Sequence, residues 1–109
     1  MAKFGPGDDM ELREREPIHP GVVLAEDVLA ELNMSGRQLA DVLHVSPNRI
    51  SEILRGRRAI TADTALRLSR WLGTSPRFWL DLQQAYDLEV AEIEEGSRIE
   101  REVIPRQAA

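Results

Sequence analysis

At 109 residues the chain is sized for one domain around a single modest core, and its 42% hydrophobic and 30% charged residues are ordinary for a soluble globular protein. No apolar run approaches bilayer-spanning length and MAKFGPGDDMELRERE lacks an apolar stretch suited to secretion, so a cytoplasmic protein away from membranes is expected. With no cysteine, disulfides and thiolate metal sites are excluded.

Residues 1–16 carry Gly5, Pro6 and Gly7 and then alternating charges without apolar periodicity, which predicts a mobile arm. Pro17-Ile18-His19-Pro20-Gly21 leads into a first helix. There Val23, Leu24, Val28, Leu29 and Leu32 recur at helical spacing, Glu26, Asp27 and Glu31 lie outside, and Asn33 stops the run. Ser35 then caps a second helix that begins at Gly36: its hydroxyl can accept from a first-turn N–H, and Gln38, three residues on, can reach back to close a capping box. Leu39, Ala40 and Leu43 make the apolar stripe of that helix. His44-Val45 breaks it, Val45 plugging the angle between neighbouring helices.

Ser46 is the next cap, and Pro47 fits the first helical position, where a missing N–H costs nothing. In this third helix Ile50, Ile53 and Leu54 face inward, so Asn48, Arg49, Ser51, Glu52 and Arg55 face outward; Gly56 ends it in the left-handed conformation. Thr61 caps a fourth helix with Asp63 in its first turn, where an acid suits the positive end of the helix dipole. Ala65, Leu66, Leu68, Trp71 and Leu72 are expected mostly inward, Arg67 and Arg70 outward, and Gly73 as the stop. Thr74-Ser75-Pro76 opens a fifth helix through Phe78, Trp79, Leu82, Tyr86 and Val90, whose aromatic spacing points to core or dimer packing. Beyond it, Ile99, Val103 and Ile104 suggest a short extended or frayed segment.

The expected organisation is therefore an all-α, five-helix domain with a helix-turn-helix at its centre. It comprises a flexible N-terminal arm (1–16), a helical domain (17–95) and a short acidic C-terminal extension (96–109).

The formal net charge of −5 would argue against a polyanionic partner, but the charge is unevenly placed. Between Ser35 and Arg77 eight arginines meet three acids, a local balance of +5, which leaves six basic and sixteen acidic residues, or −10, elsewhere. A basic centre inside an acidic protein marks a patch with a purpose. Eight arginines with no lysine favour phosphate and base contact, because the guanidinium fork matches both. Catalysis finds little to use: the two histidines stand apart, and no phosphate-binding glycine loop or capped nucleophile is present. His19 and His44 read as capping or packing residues, and Glu92, Glu94 and Glu95 as a solvated helix face, so no metal, cofactor or enzymatic activity is expected.

Three strings, PIHPGVVLAEDVL, SGRQLADVLHVSPNRISEILRGRRAITADTALRLSRWLG and TSPRFWLDLQQAYDLEVA, carry a resemblance that spans roughly Ile18 to Val90. The chain resembles a HigA-type, VapI-like antitoxin of the Xre/phage-repressor helix-turn-helix superfamily, with His19-Pro20-Gly21 and FWLDLQQAYDL more discriminating than the helix-turn-helix itself. The resemblance implies an all-α, five-helix, repressor-like helix-turn-helix domain whose residues 17–95 form a DNA-binding domain with a helix-five dimerisation region. It further implies a homodimer that represses its own palindromic operator and neutralises a HigB-like toxin, an mRNA-cleaving ribonuclease of the RelE type. The alternative is a stand-alone Xre-family transcriptional repressor with no toxin.

Residue by residue, the resemblance places Ser46, Pro47, Asn48, Arg49 and Glu52 at the major groove and Arg55, Arg57 and Arg58 near the backbone. Ser51, outward on the same helix, joins the base-reading set; Ser35, Arg37 and Gln38 join the phosphate-binding set. Gly36 departs from the superfamily, which often has a phosphate-contacting glutamine there; backbone N–H groups, Arg37 or Gln38 would supply that anchor. Phe78, Trp79, Leu82 and Tyr86 form the candidate dimer surface, and two recognition helices in such a dimer would sit about 34 Å apart.

Overall fold

The computed structural model describes residues 16–107, so the arm expected over residues 1–16 lies, but for Glu16, outside the described residues. Side-chain caps set where the helices begin. Helix α1 (residues 20–32) opens with Pro20 in its first position and an imidazole cap: Nδ1 of His19 accepts from the Gly21 N–H at 2.9 Å. Ser35 caps α2 (Gly36–Leu43), Ser46 caps α3 (Pro47–Leu54), Thr61 caps α4 (Ala62–Leu72) and Ser75 caps α5 (Pro76–Glu102). In each, the hydroxyl accepts an otherwise orphaned first-turn N–H.

The stops follow the same local logic. Asn33 and His44 adopt left-handed φ values of 53° and 58°, and Gly56 and Gly73 values of 74° and 82°. After Asn33, His44 and Gly56 the next residue folds its N–H back onto the helix, as Met34 does to the Leu29 carbonyl, Val45 to Ala40 and Arg57 to Glu52.

Inside α1 the segment Leu24–Leu29 is wound as a π-helix, and the Ala30 N–H reaches the carbonyl of Ala25. The wider turn brings Val28 and Leu29, four and five residues after Leu24, onto one inward side, and all three are buried. They meet Leu39, Leu43, Ile50, Ile53 and Leu68 in one core.

Two discriminating strings of the sequence come together here. A Cβ on Gly21 would lie 2.0 Å from the carbonyl oxygen of Ile53, so only glycine lets the start of α1 rest on the last turn of α3. The His19 ring sits against Gly56 and makes an edge contact with Tyr86 of α5 at 4.9 Å between centroids. On α5, Trp79 is 1% exposed and donates Nε1–H to the Thr74 hydroxyl at 3.0 Å, while buried Gln83 accepts the Ile60 N–H at 2.8 Å. That bond satisfies a backbone donor that loop residues 55–61 would otherwise bury without a partner.

Three expectations change. Leu66 (58% exposed) and Trp71 (39%) lie outside the core, because α4 buries the stripe Thr64, Ala65, Leu68 and Ser69 and those two flank it on either side. Helix α5 does not stop at residue 95: it runs through Gly96 to Glu102, so residues 96–102 continue it and, among the described residues, only 103–107 follow it, starting with Val103 in an extended conformation. No residue of α5 after Gln83 is buried, and Arg98 ties the second half together through Glu95 and Glu102. Third, Trp79 belongs to the protomer's own core and cannot present itself to a second copy. Among the described residues no helix is long and apolar enough to cross a membrane.

Gly21→Ala must separate α1 from α3, and such overpacking costs about 1–3 kcal/mol or more. A fall in melting temperature of roughly 10 °C is expected at the upper end of that cost, and an unchanged melt would refute the close packing. Burial lowers the His19 pKa below its ordinary 6.5, against raising effects of the Asp87 charge and a backbone hydrogen bond at Arg58. A depressed base contributes stability that is complete above 6.5 and lost as the pH falls from there through the folded-state value. Thermal melts between pH 7.5 and 5 should show this loss, and His19→Asn, which keeps a capping group that does not titrate, should flatten it. Equal slopes in the two proteins would contradict the assignment.

Candidate nucleic-acid interface

The outward side of α3 is built from its cap forward. Ser46 and Pro47 are exposed at its start, Asn48 is exposed in the first turn, and Ser51 and Glu52 are half-buried one turn further on. Burial of Ile50 and Ile53 fixes that orientation, because a helix with two fully enclosed isoleucines on one side must turn its polar side out.

Arginines flank this strip on both sides. On one side a depression of about 370 Å³ between α2 and α3 gathers Arg37 and Arg55 with Gly36, Pro47 and Ser51. On the other, a depression of about 390 Å³ gathers Arg49, Arg58 and Arg67 with Thr61, Asp63 and Thr64. Strands of phosphates bordering a groove would meet positive charge on both margins.

Not all of these arginines are equally available. Nη1 of Arg49 donates to Oδ2 of Asp63 at 2.6 Å and to Oγ1 of Thr64 at 3.3 Å. Arg67 donates Nε–H to the same carboxylate oxygen at 2.9 Å and Nη1–H to the carbonyls of Leu43 and His44. These two guanidinium groups hold the Asp63 carboxyl below its ordinary value. Arg58 is paired with Glu52 at 2.6 Å. Among the described residues Arg37, Arg55 and Arg57 have no side-chain ion-pair or hydrogen-bond partner.

At the start of α2 the capping box is complete. Ser35 Oγ accepts from the Gln38 N–H at 3.1 Å, and Gln38 Oε1 accepts from the Ser35 N–H at 2.9 Å. The Ser35 hydroxyl proton and the Gln38 amide donors remain for a ligand. The glycine between them has a packing reason. A Cβ on Gly36 would stand 3.2 Å from Cδ1 of Leu54 and 3.4 Å from Cγ2 of Ile50, so a long side chain at this position would press α2 away from α3.

Thus Ser46, Pro47, Asn48, Ser51 and Glu52 lie on the outward side of α3, with Arg37 and Arg55 on one margin and Arg49 and Arg58 on the other; Ser35 and Gln38 stand at the start of α2 beside Arg37, and Arg57 follows Gly56 in the loop after α3. The four residues expected at a dimer surface are split. Phe78 is 45% exposed, Leu82 and Tyr86 are half-buried against their own protomer, and Trp79 is inside. Sequence reasoning missed Asp63, Thr64 and Arg67 as members of the site; the Asp63–Arg67 spacing of four was a legible signal, and the Arg49–Asp63 pairing was not.

Residues 26–79 match the family model HTH_3, described as helix-turn-helix. The chain is 51% identical over 84 residues to "Virulence-associated protein I" of Dichelobacter nodosus, covering 77% of this chain and 78% of that protein. It is similar to the structure of an addiction module antidote protein of a HigA family from Coxiella burnetii, with 51% identity and a TM-score of 0.80 over 84% of this chain and 100% of that one. It is also similar to the Pseudomonas aeruginosa antitoxin HigA solved with the higBA promoter, with 41% identity and a TM-score of 0.82 over 84% and 100%.

Proposed function

The chain belongs to the HigA-type, VapI-like antitoxins of the Xre helix-turn-helix family, a family without enzymatic activity, and from that premise we propose that it is a sequence-specific repressor of its own operon. The observation that carries this is the exposed polar side of α3, bordered by arginines on both margins and framed by the same fold as the Pseudomonas aeruginosa antitoxin bound to promoter DNA.

In this reading the N-terminal end of α3 enters the major groove. Asn48 offers its amide and Arg49 its guanidinium to base edges, and Ser46, Pro47 and Ser51 line the approach. Glu52, held by Arg58, either accepts from a cytosine amine or keeps that arginine in register. Arg37, Arg55 and Arg57 hold phosphates, helped by Ser35, Gln38 and Arg58.

A homodimer on a palindromic operator places two α3 helices one DNA turn apart. Its surface lies on α5, where Phe78, Leu88 and Ile93 are exposed apolar side chains outside the core. The antitoxin half of the function is neutralisation of a HigB-like, RelE-type mRNA-cleaving toxin. The acidic second half of α5 supports this, because an RNA-binding enzyme carries a basic surface.

Gel-shift titration on the duplex upstream of the gene tests repression: retardation at low nanomolar to micromolar protein is expected, and none even in dilute buffer would refute it. Arg57→Ala should weaken that duplex and a scrambled one alike and lower the salt slope by about 0.9, the release of one phosphate contact. Arg58→Ala should do less, because Glu52 already neutralises it. Co-expression with the product of the adjacent gene should yield a stable complex that blocks mRNA cleavage; a neighbour that neither binds nor cleaves RNA would leave a repressor alone.

A further inference from the structure

We infer that Asp63 is a specificity-determining positioning residue: it touches no base, and instead fixes which edge of the Arg49 guanidinium is offered to the major groove. This rests on the base-reading role given to Arg49 above. An acid in the middle of a basic, DNA-facing surface is unfavourable for affinity, since an exposed carboxylate repels phosphate, and the Asp63 side chain is 54% exposed. Its geometry gives it a use.

Oδ2 of Asp63 takes the Nη1 group of Arg49, and Thr64 Oγ1 takes a second bond from that same nitrogen. Among the described residues Nε and Nη2 of Arg49 have no partner. The side of the fork left open is therefore the Nε–Nη2 edge, whose two parallel N–H groups match the N7 and O6 acceptors of guanine.

Asp63 is itself immobilised. Arg67 holds the same oxygen and is anchored to the carbonyls of Leu43 and His44 at the end of α2. The carboxylate also stands in the first turn of α4, where the helix dipole favours it. One acid thus joins the end of α2, the start of α3 and the start of α4. A free arginine on its flexible stem would serve a phosphate as readily as a base; a tethered one is set for a single planar acceptor pair.

Asp63→Asn, isosteric at an exposed position, tests this on two duplexes: the sequence that the wild-type protein selects from a randomised pool, and a scrambled version. The variant should hold its melting temperature within a few degrees and bind the scrambled duplex as well as or better than wild type. Its preference for the selected duplex should fall by roughly 5- to 150-fold, the range of one bidentate base contact. Arg49→Ala should lose the same preference, the double variant should lose no more, and Asp63→Glu, which keeps the carboxylate, should recover part of it. Retention of the wild-type preference by Asp63→Asn while Arg49→Ala loses it would overturn this inference alone. Equal weakening on both duplexes, in step with a lower melt, would reduce Asp63 to a structural pair. Full preference in Arg49→Ala would remove the base-reading role itself, and this inference with it.

Discussion

The contact on which the arrangement depends is a glycine against a carbonyl. Gly21, at the start of α1, lies so close to the Ile53 oxygen that no side chain fits between them, and this seats α1 on the last turn of α3. His19 completes the joint by capping α1 with one ring nitrogen while its ring meets Gly56 and Tyr86. The C-terminal end of α3 is thereby fixed by α1 and α5, its apolar face by α2, and its N-terminal end by Arg49 on Asp63. A short helix of eight residues has little stability of its own, so its orientation is entirely a product of these neighbours. The outward set of Asn48, Arg49, Ser51 and Glu52 is the consequence.

Charge placement follows the same plan. Arginines border α3, whereas the acids gather on the outside of α1 and along α5. The two acids that do lie within the basic surface both hold arginines, Glu52 taking Arg58 and Asp63 taking Arg49 and Arg67. Among the described residues Arg37, Arg55 and Arg57 have no side-chain partner, and in the proposed reading attraction to a backbone asks of them charge without direction, whereas Arg49 is held in one orientation.

What the sequence made legible was whatever is decided within four residues. The Ser35–Gln38 box, the Ser46-Pro47 and Ser75-Pro76 starts, the Thr61 cap and the stops at Asn33, Gly56 and Gly73 all stand where local chemistry put them. The helix-turn-helix and its outward side followed from them. Illegible were features set by distant partners or by a choice between equivalent faces. Helical spacing alone did not reveal that Thr64 and Ser69, small enough to pack closely, would take the buried side of α4 and leave Leu66 and Trp71 outside. Ile99, Val103 and Ile104 read as an extended or frayed segment beyond α5, yet the helix continues to Glu102 with Arg98 bracing it. The π winding of α1, the burial of Trp79 and the Arg49–Asp63 pair needed the fold itself.

Methylation interference on an operator duplex probes the proposed use of α3 most directly, because a methyl group on guanine N7 obstructs the major groove and one on adenine N3 the minor. Binding through α3 requires that N7 methylation block complex formation in two clusters about ten base pairs apart, with minor-groove methylation tolerated. Undiminished binding to N7-methylated DNA, or interference confined to the minor groove, would contradict it.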